Sequence, residues 1–481
     1  MNPAFSTYLD FARFSAAVVV VLHHLGLPQI SGGTFDPVGR AGEDAVMVFF
    51  VLSGYVIAYV GERDRNLQSY AINRLSRLYS VVVPALLLTV IADWIGKAAD
   101  PTVYAGGFNT DPNVLKTLIS LAFSNQLWSF DVRFQSNVPY WSISYEFWYY
   151  VLFACVFFAR EKAKWLLLTL WTVVVGPCIL LLLPVWWLGV WMYQQTRRRT
   201  LPRSWAWLCS LVPVVVYALY RPSGLEEQLT ALTDRWVLAL TGDLYYLHKA
   251  RFFLHDYIVG ALVAVHLFGV HSLCLSRTAH SRSTGSFIHR AAGYTFSIYL
   301  FHFPVLLCLS ALSPLPKGHP LHLAILVVGT AAVVLLIAPW TEGRKDVWRN
   351  ALLRVSHWMS HQLTRLRNAK LIGVQRGMPT NASAIGSTAH FVGTCALTST
   401  LLSLVVISSI LSGSDTGDAS DDRLSEAAPA IESVEASVPM EDAASDVTDL
   451  LVDEADRNRR PDLTGEAHGS RRDTAERRHI P

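Results

Sequence analysis

Residues 8–27 read YLDFARFSAAVVVVLHHLGL, an apolar run long enough to cross a bilayer that still carries Asp10, Arg13, His23 and His24. Ionisable side chains inside a span are costly and are tolerated where they face a protein interior or a water-filled cavity. As a helix advancing about 100° and 1.5 Å per residue, the stretch sets Arg13 and His24 within about 20° of one face and about 16 Å apart along the axis. His23 points elsewhere. Two aligned ionisable groups predict a lined path, and this is where the chemistry is expected.

The rest of the chain sets that helix in a membrane bundle. Of 481 residues 52% are hydrophobic and 16% charged, and the mean hydropathy is +0.32. This excludes an ordinary soluble enzyme. Further apolar runs place spans near 44–61, 79–97, 139–159, 164–183, 184–196, 205–220, 252–271, 293–312, 321–340 and 391–412. They lack the alternation of barrel strands, so they read as helices. The fold class is an all-α, polytopic membrane helical bundle of about ten core transmembrane helices plus an eleventh, with a disordered C-terminal tail. The first span is read as retained, since charges interrupt its apolar region and a second span follows at once.

Arg63, Arg65, Arg74 and Arg77 follow span two, and Arg160, Lys162 and Lys164 follow span four. Arg197, Arg198 and Arg199 follow span six, Arg277, Arg282 and Arg290 span eight, and Arg344 and Lys345 span ten. Basic residues collect on the cytoplasmic side. The N-terminus is therefore expected in the cytoplasm, and the far end of an eleventh span outside. Residues 1–350 read as the membrane core, 351–390 as a basic cytoplasmic linker, 391–412 as the extra span and 413–481 as an acidic tail. Residues 414–481 hold 18 Asp or Glu against 8 Arg, a net charge of −10, in a composition that cannot bury a core. The six cysteines stand singly, with no metal spacing, and read as packing residues.

Along the chain, FFVLSG at 49–54 reads as helix-packing sequence in which Gly54 admits a second backbone. Glu43 and Asp44 precede it at the outer boundary. Arg74 and Arg77, three apart, share a helical face. They either mark topology or offer two guanidiniums to a phosphorylated cytosolic ligand. Within 98–138, Val114 to Trp128 is too short for a comfortable span and reads as a re-entrant half-helix. Span four opens PYWSISYEFWYY, with Glu146 about two turns inside the membrane. That carboxylate needs a partner, and Arg13 is the obvious candidate. Residues 222–250 read as an outer loop, after which Arg251, His255 and Asp256 either line an acceptor site or snorkel to the interface. In span nine Ser297, Tyr299 and His302 lie near Pro304, whose freed backbone groups invite a polar cluster.

Four of these segments in this order resemble the membrane-bound acyltransferase type 3 family, bacterial multi-pass proteins that modify surface polysaccharides. They are Arg13 with ten residues before His24, FFVLSGYVI at 49–57, RLSRLYSVVVP at 74–84 and WSISYEFWYY at 141–150; SIYLFHFPV at 297–305 is a fifth. The resemblance covers roughly residues 5–350. It implies a ten-helix O-acyltransferase core in the bacterial cytoplasmic membrane, with Arg13 and His24 the essential pair. Arg74 and Arg77 would engage cytosolic acyl-CoA, acetyl-CoA above all. The acceptor would be a surface or lipid-linked glycan, reached from membrane lipid with no nucleic acid or metal involved. His24 would act as general base or carry the acyl group itself, with Arg13 or a polar cluster around His302 stabilising the oxyanion and Glu146 completing the catalytic set. Some relatives carry an esterase-like domain after the eleventh span, whereas this tail has no GxSxG motif. A transporter using the Arg13 to His24 path is the competing reading, and a structural or sensory bundle the next; no convincing repeat relates the two halves.

Overall fold

The computed structural model describes residues 2–35, 41–64, 66–105, 108, 113–275, 288–358 and 361. The extra span 391–412, the acidic tail 413–481 and all but the first residues of the linker 351–390 lie outside the described residues. The described chain is helical, with no strand, as expected of a membrane bundle. Its main helices are α1 (Pro3–Leu25), α2 (Ala41–Asp64), α3 (Leu67–Ala99), α4 (Trp141–Phe158), α5 (Glu161–Arg198), α6 (Arg203–Tyr220), α7 (Leu225–Thr241), α8 (Phe253–Leu275), α9 (Thr295–Leu312) and α10 (Pro320–Thr341).

Local chemistry sets where these helices begin. Asn2 caps α1, its Oδ1 accepting from Ala4 N at 2.8 Å, with Pro3 in the first turn where its missing N–H costs nothing. Asn66 does the same for α3 through Ser69 N at 2.8 Å. α3 has 33 residues, so the RLSRLYS segment expected just before an apolar helix is the first part of that helix.

α5 departs from expectation. Its 38 residues would reach about 57 Å as one rod. Yet both of its ends lie by the last turn of α2: Arg197 ion-pairs with Glu62 at 2.5 Å, while Phe153 and Phe157, just before α5 begins, pack on Gly61. The chain therefore reverses at Gly176, whose φ of 74° and ψ of −177° are open essentially to glycine alone. Two arms result, 161–175 and 177–198. The spans expected at 164–183 and 184–196 are thus real as two arms, but divided at Gly176–Pro177. Pro184, taken as the boundary, lies inside the second arm.

Among the described residues, eight helices, with α5 counted once, are long and apolar enough to cross a membrane. The second arm of α5 lies backbone to backbone on α2. A Cβ on Gly54 would stand 2.0 Å from the Trp186 carbonyl oxygen, and one on Gly189 would stand 2.0 Å from that of Val51. The core around this contact is aromatic: Tyr145, Trp148, Tyr149 and Trp186 are all 1% exposed or less.

Two connections differ from their sequence reading. The short piece expected over Val114 to Trp128 is helical only over Val114–Leu121. The chain then runs as a loop, buried at Phe123 and Gln135 but exposed at Trp128, with positive φ at all three. Residues 222–250, read as loop, contain the 17-residue helix α7. Of the cysteines, Cys155, Cys178 and Cys308 are buried and Cys209 and Cys274 are half-buried, and no disulfide joins any of these five. Cys395 lies outside the described residues.

Candidate functional site

Helices α1, α2, α3, α4 and α9 enclose a cleft of about 680 Å³, counting its open mouth. Arg13, Arg74 and Arg77 line it together with Glu146. Three guanidiniums against one carboxylate give its lining a net positive charge. The spacing of Arg74 and Arg77 turns both into the cleft, as one helical face requires. Arg74 is only 8% exposed, and its Nε is buried without a hydrogen-bond partner among the described residues. A buried guanidinium with donors to spare is costly unless a ligand supplies the acceptors.

The walls are aromatic. Phe49, Phe50, Tyr150, Phe296 and Tyr299 contribute, with Phe49 and Tyr299 edge to face at 5.7 Å. The Tyr299 hydroxyl is 2.7 Å from Ser142 Oγ.

The expected pairing of Glu146 with Arg13 is not found. Glu146 has no ion pair within 4.0 Å among the described residues. Its Oε1 instead accepts from Ser53 Oγ at 3.1 Å and from the Tyr150 hydroxyl. Arg13 approaches Asp10 at 4.0 Å, and Asp10 also meets His289 at 2.9 Å. Neutral hydroxyls, here one from α2 and one from the next turn of α4 itself, can satisfy a carboxylate without neutralising it, which leaves the charge available to the cleft. Ser53 was read as packing sequence; it also accepts from Trp186 Nε1 at 3.2 Å. No local pattern in 49–54 marks that role.

His24 and His302 meet deeper in the bundle. His24 is 7% exposed and His302 fully buried. His24 Nδ1 lies 2.9 Å from His302 Nε2 and 3.0 Å from the Val20 carbonyl oxygen, and His302 Nδ1 lies 2.8 Å from that of Ile298. Neither histidine lines the arginine cleft. Tyr299, a cleft wall one turn from His302 with ring centroids 6.4 Å apart, stands between the two groups.

Pro304 acts as expected. It cannot donate to the Leu300 carbonyl one turn back, and Asn137 Nδ2 takes that place at 3.1 Å while also bonding Thr89 Oγ1 at 3.0 Å. The loop is thereby tied to α9 beside the histidines. Ser297 is used differently: its N–H and hydroxyl both donate to Glu342, at 3.2 and 2.8 Å.

The charged groups expected at the outer boundary pair with one another. Asp44 accepts from the Tyr217 hydroxyl at 2.6 Å, meets His255 Nε2 at 2.6 Å and lies 3.4 Å from Arg221 Nε. Lys249 bridges to Glu43 at 2.7 Å. Arg251 binds both carboxylate oxygens of Asp234 on α7, at 2.8 and 2.6 Å. Arg251 and His255 are thus structural ties. Asp256 is buried beside them at 3% exposure.

Among known proteins, a family model described as an acyltransferase domain matches residues 6–339. No curated protein and no solved structure matches.

Proposed function

The chain belongs to the acyltransferase 3 family, and from that premise we propose that it moves an acyl group, acetyl first among them, from acyl-CoA to a hydroxyl of a surface or lipid-linked glycan. It is a multi-pass membrane protein by its long apolar helices. The bacterial cytoplasmic membrane is the proposed location, with the basic end in the cytoplasm where positive loops collect.

The observation that carries this reading is the cleft. Arg13, Arg74 and Arg77 offer a phosphorylated donor charge-assisted, planar contacts, and Arg74 has an unsatisfied buried Nε to give. Aromatic walls suit an adenine ring. The thioester arm would run from the arginines past Tyr299 towards His24, a depth of about 16 Å along α1.

At that depth the acceptor oxygen gives its proton to His24 and attacks the thioester carbonyl carbon. The tetrahedral oxyanion needs donors aimed at it from close range, and Arg13, about 16 Å away along α1, belongs to the donor end of the path instead. The C–S bond then breaks and the leaving thiolate recovers the proton from His24, yielding ester and free thiol. In the covalent form His24 attacks the thioester itself and passes the acyl group on. Glu146 offsets part of the charge of the three arginines.

Binding of acetyl-CoA to purified protein in lipid nanodiscs, by calorimetry, tests the donor half. Saturable binding that is lost on Arg74→Ala/Arg77→Ala at unchanged folding supports it. Equal binding by wild type and double variant refutes the cleft as donor site.

A further inference from the structure

The hydrogen-bond chain through His302 determines which nitrogen of His24 is free. The Ile298 carbonyl can only accept, so the His302 nitrogen 2.8 Å from it carries the proton. A neutral imidazole holds one N–H, so His302 Nε2 presents a lone pair. It faces His24 Nδ1 at 2.9 Å, where the Val20 carbonyl oxygen, also an acceptor, lies at 3.0 Å. Two acceptors converge on His24 Nδ1, so that atom is N–H and shares its proton between them. His24 Nε2 is left as the lone-pair nitrogen, without a hydrogen bond to any described residue.

We infer that His302 is a positioning residue: anchored on the Ile298 carbonyl, it holds His24 in the tautomer whose Nε2 is the proton-accepting atom. The inference rests on the acyl-transfer reading above and adds the atom and its orienting partner. The arrangement has the logic of a base oriented by a third group. It also needs no rearrangement during turnover, because a proton taken at Nε2 leaves Nδ1–H and both its acceptors unchanged. The ring is fixed sterically as well. His302 and Phe303 pack on the His24 ring at centroid distances of 5.0 and 4.7 Å, and His23 lies at 4.7 Å.

The Val20 carbonyl shares the Nδ1 proton with His302 but, coming from the same helix one turn back, does not tie the ring to the rest of the bundle. His302 comes from α9 and ties the imidazole across the bundle. Loss of the His302 acceptor is therefore expected to lower turnover without touching donor binding, since His302 does not line the arginine cleft.

The test uses full-length protein in lipid nanodiscs, with two variants and two measurements. His302→Leu keeps the apolar bulk and removes the acceptor; His302→Gln restores an acceptor oxygen near the position of Nε2. The expected result is a fall in kcat of about 10- to 100-fold for His302→Leu with donor KM unchanged, and recovery to within about threefold of wild type in His302→Gln. Equal losses in both variants, no loss in either, or a matching rise in donor KM would overturn the inference. Independently of activity, ¹⁵N-histidine solid-state NMR with His24→Gln as the assignment control reads the tautomer directly. A protonated Nδ1 and bare Nε2 at His24 are expected, and the reverse overturns the inference even if acyl transfer is sound. Absence of acyl transfer in wild type with the expected tautomer would instead count against the function proposed above.

Discussion

The hydroxyl of Tyr299 lies 2.7 Å from Ser142 Oγ, drawing α9 and α4 together along the wall of the arginine cleft. Tyr299 is thus the side chain between the cleft that would hold a donor and the histidines that would use it. Tyr299→Trp, which adds volume at this point, is expected to reduce turnover at least about tenfold while acetyl-CoA binding persists, since overpacking in a tight interior is poorly accommodated. Steady-state kinetics beside calorimetry on the same preparation separates the two. Joint loss of binding and turnover would place the obstruction elsewhere.

Arg74→Lys keeps the charge and loses the planar fork. A guanidinium that meets phosphate through two parallel N–H groups is not replaced by an ammonium. Donor affinity is expected to fall by about tenfold, one hydrogen bond's worth, and to become more sensitive to salt. Titration of acetyl-CoA at two ionic strengths checks both.

Glu146 accepts from Ser53 and Tyr150 through one oxygen, which an amide oxygen can supply equally well. Glu146→Gln is therefore expected to preserve membrane abundance. It leaves three guanidiniums unopposed in the cleft, so donor binding tightens by about two- to tenfold, as removal of a like-charged group several ångströms away implies. Weaker donor binding in this variant would show that the carboxylate orients the arginines more than it opposes the donor.

The reversal at Gly176 makes a topological prediction. In a cysteine-free background, single cysteines at Glu161 and Arg198 are expected to react with a membrane-impermeant thiol reagent from the same face of the membrane. Labelling from opposite faces would mean that α5 crosses once. Gly176→Ala, forced into a backbone region that only glycine occupies readily, is expected to lower folded abundance by about 1–3 kcal/mol of stability. Gly189→Val, set against the Val51 carbonyl, should do the same or worse.

Much of the site was legible because it depends on local periodicity. The three-residue spacing of Arg74 and Arg77 requires only that the segment be helical, whereas Arg13 and His24, expected on one lined path, part company: Arg13 lines the cleft and His24 does not. The polar partner expected at Pro304 likewise follows from one missing N–H, and Asn137 supplies it. What sequence did not reveal depends on which helices touch. Glu146 is met by Ser53 because α2 packs on α5 through Gly54 and Gly189, which sets Ser53 beside α4; its other partner, Tyr150, is one turn on in α4 itself. The meeting of His24 with His302 joins positions 278 residues apart, and no periodicity encodes it.

Boundaries failed for different reasons. The division expected between residues 183 and 184 falls at Pro184, which lies inside the second arm of α5, where a proline can be accommodated. The Gly176–Pro177 pair, a stronger turn signal, was available in the sequence. α7 was hidden because LEEQLTALTDRWVLALT mixes charge with an apolar stripe too broken to resemble a span, and its Asp234 serves Arg251.

The central claim is that this bundle transfers an acyl group through His24, using a donor held by Arg74 and Arg77. The most direct measurement is the O-acetyl content of total surface glycan in a deletion strain complemented with wild type, His24→Ala or Arg74→Ala/Arg77→Ala at matched membrane abundance. Restoration of acetyl esters by wild type alone is the predicted result. Acetylation that never changes, while a glycan or metabolite accumulates inside the deletion strain, would contradict the claim and identify an exporter.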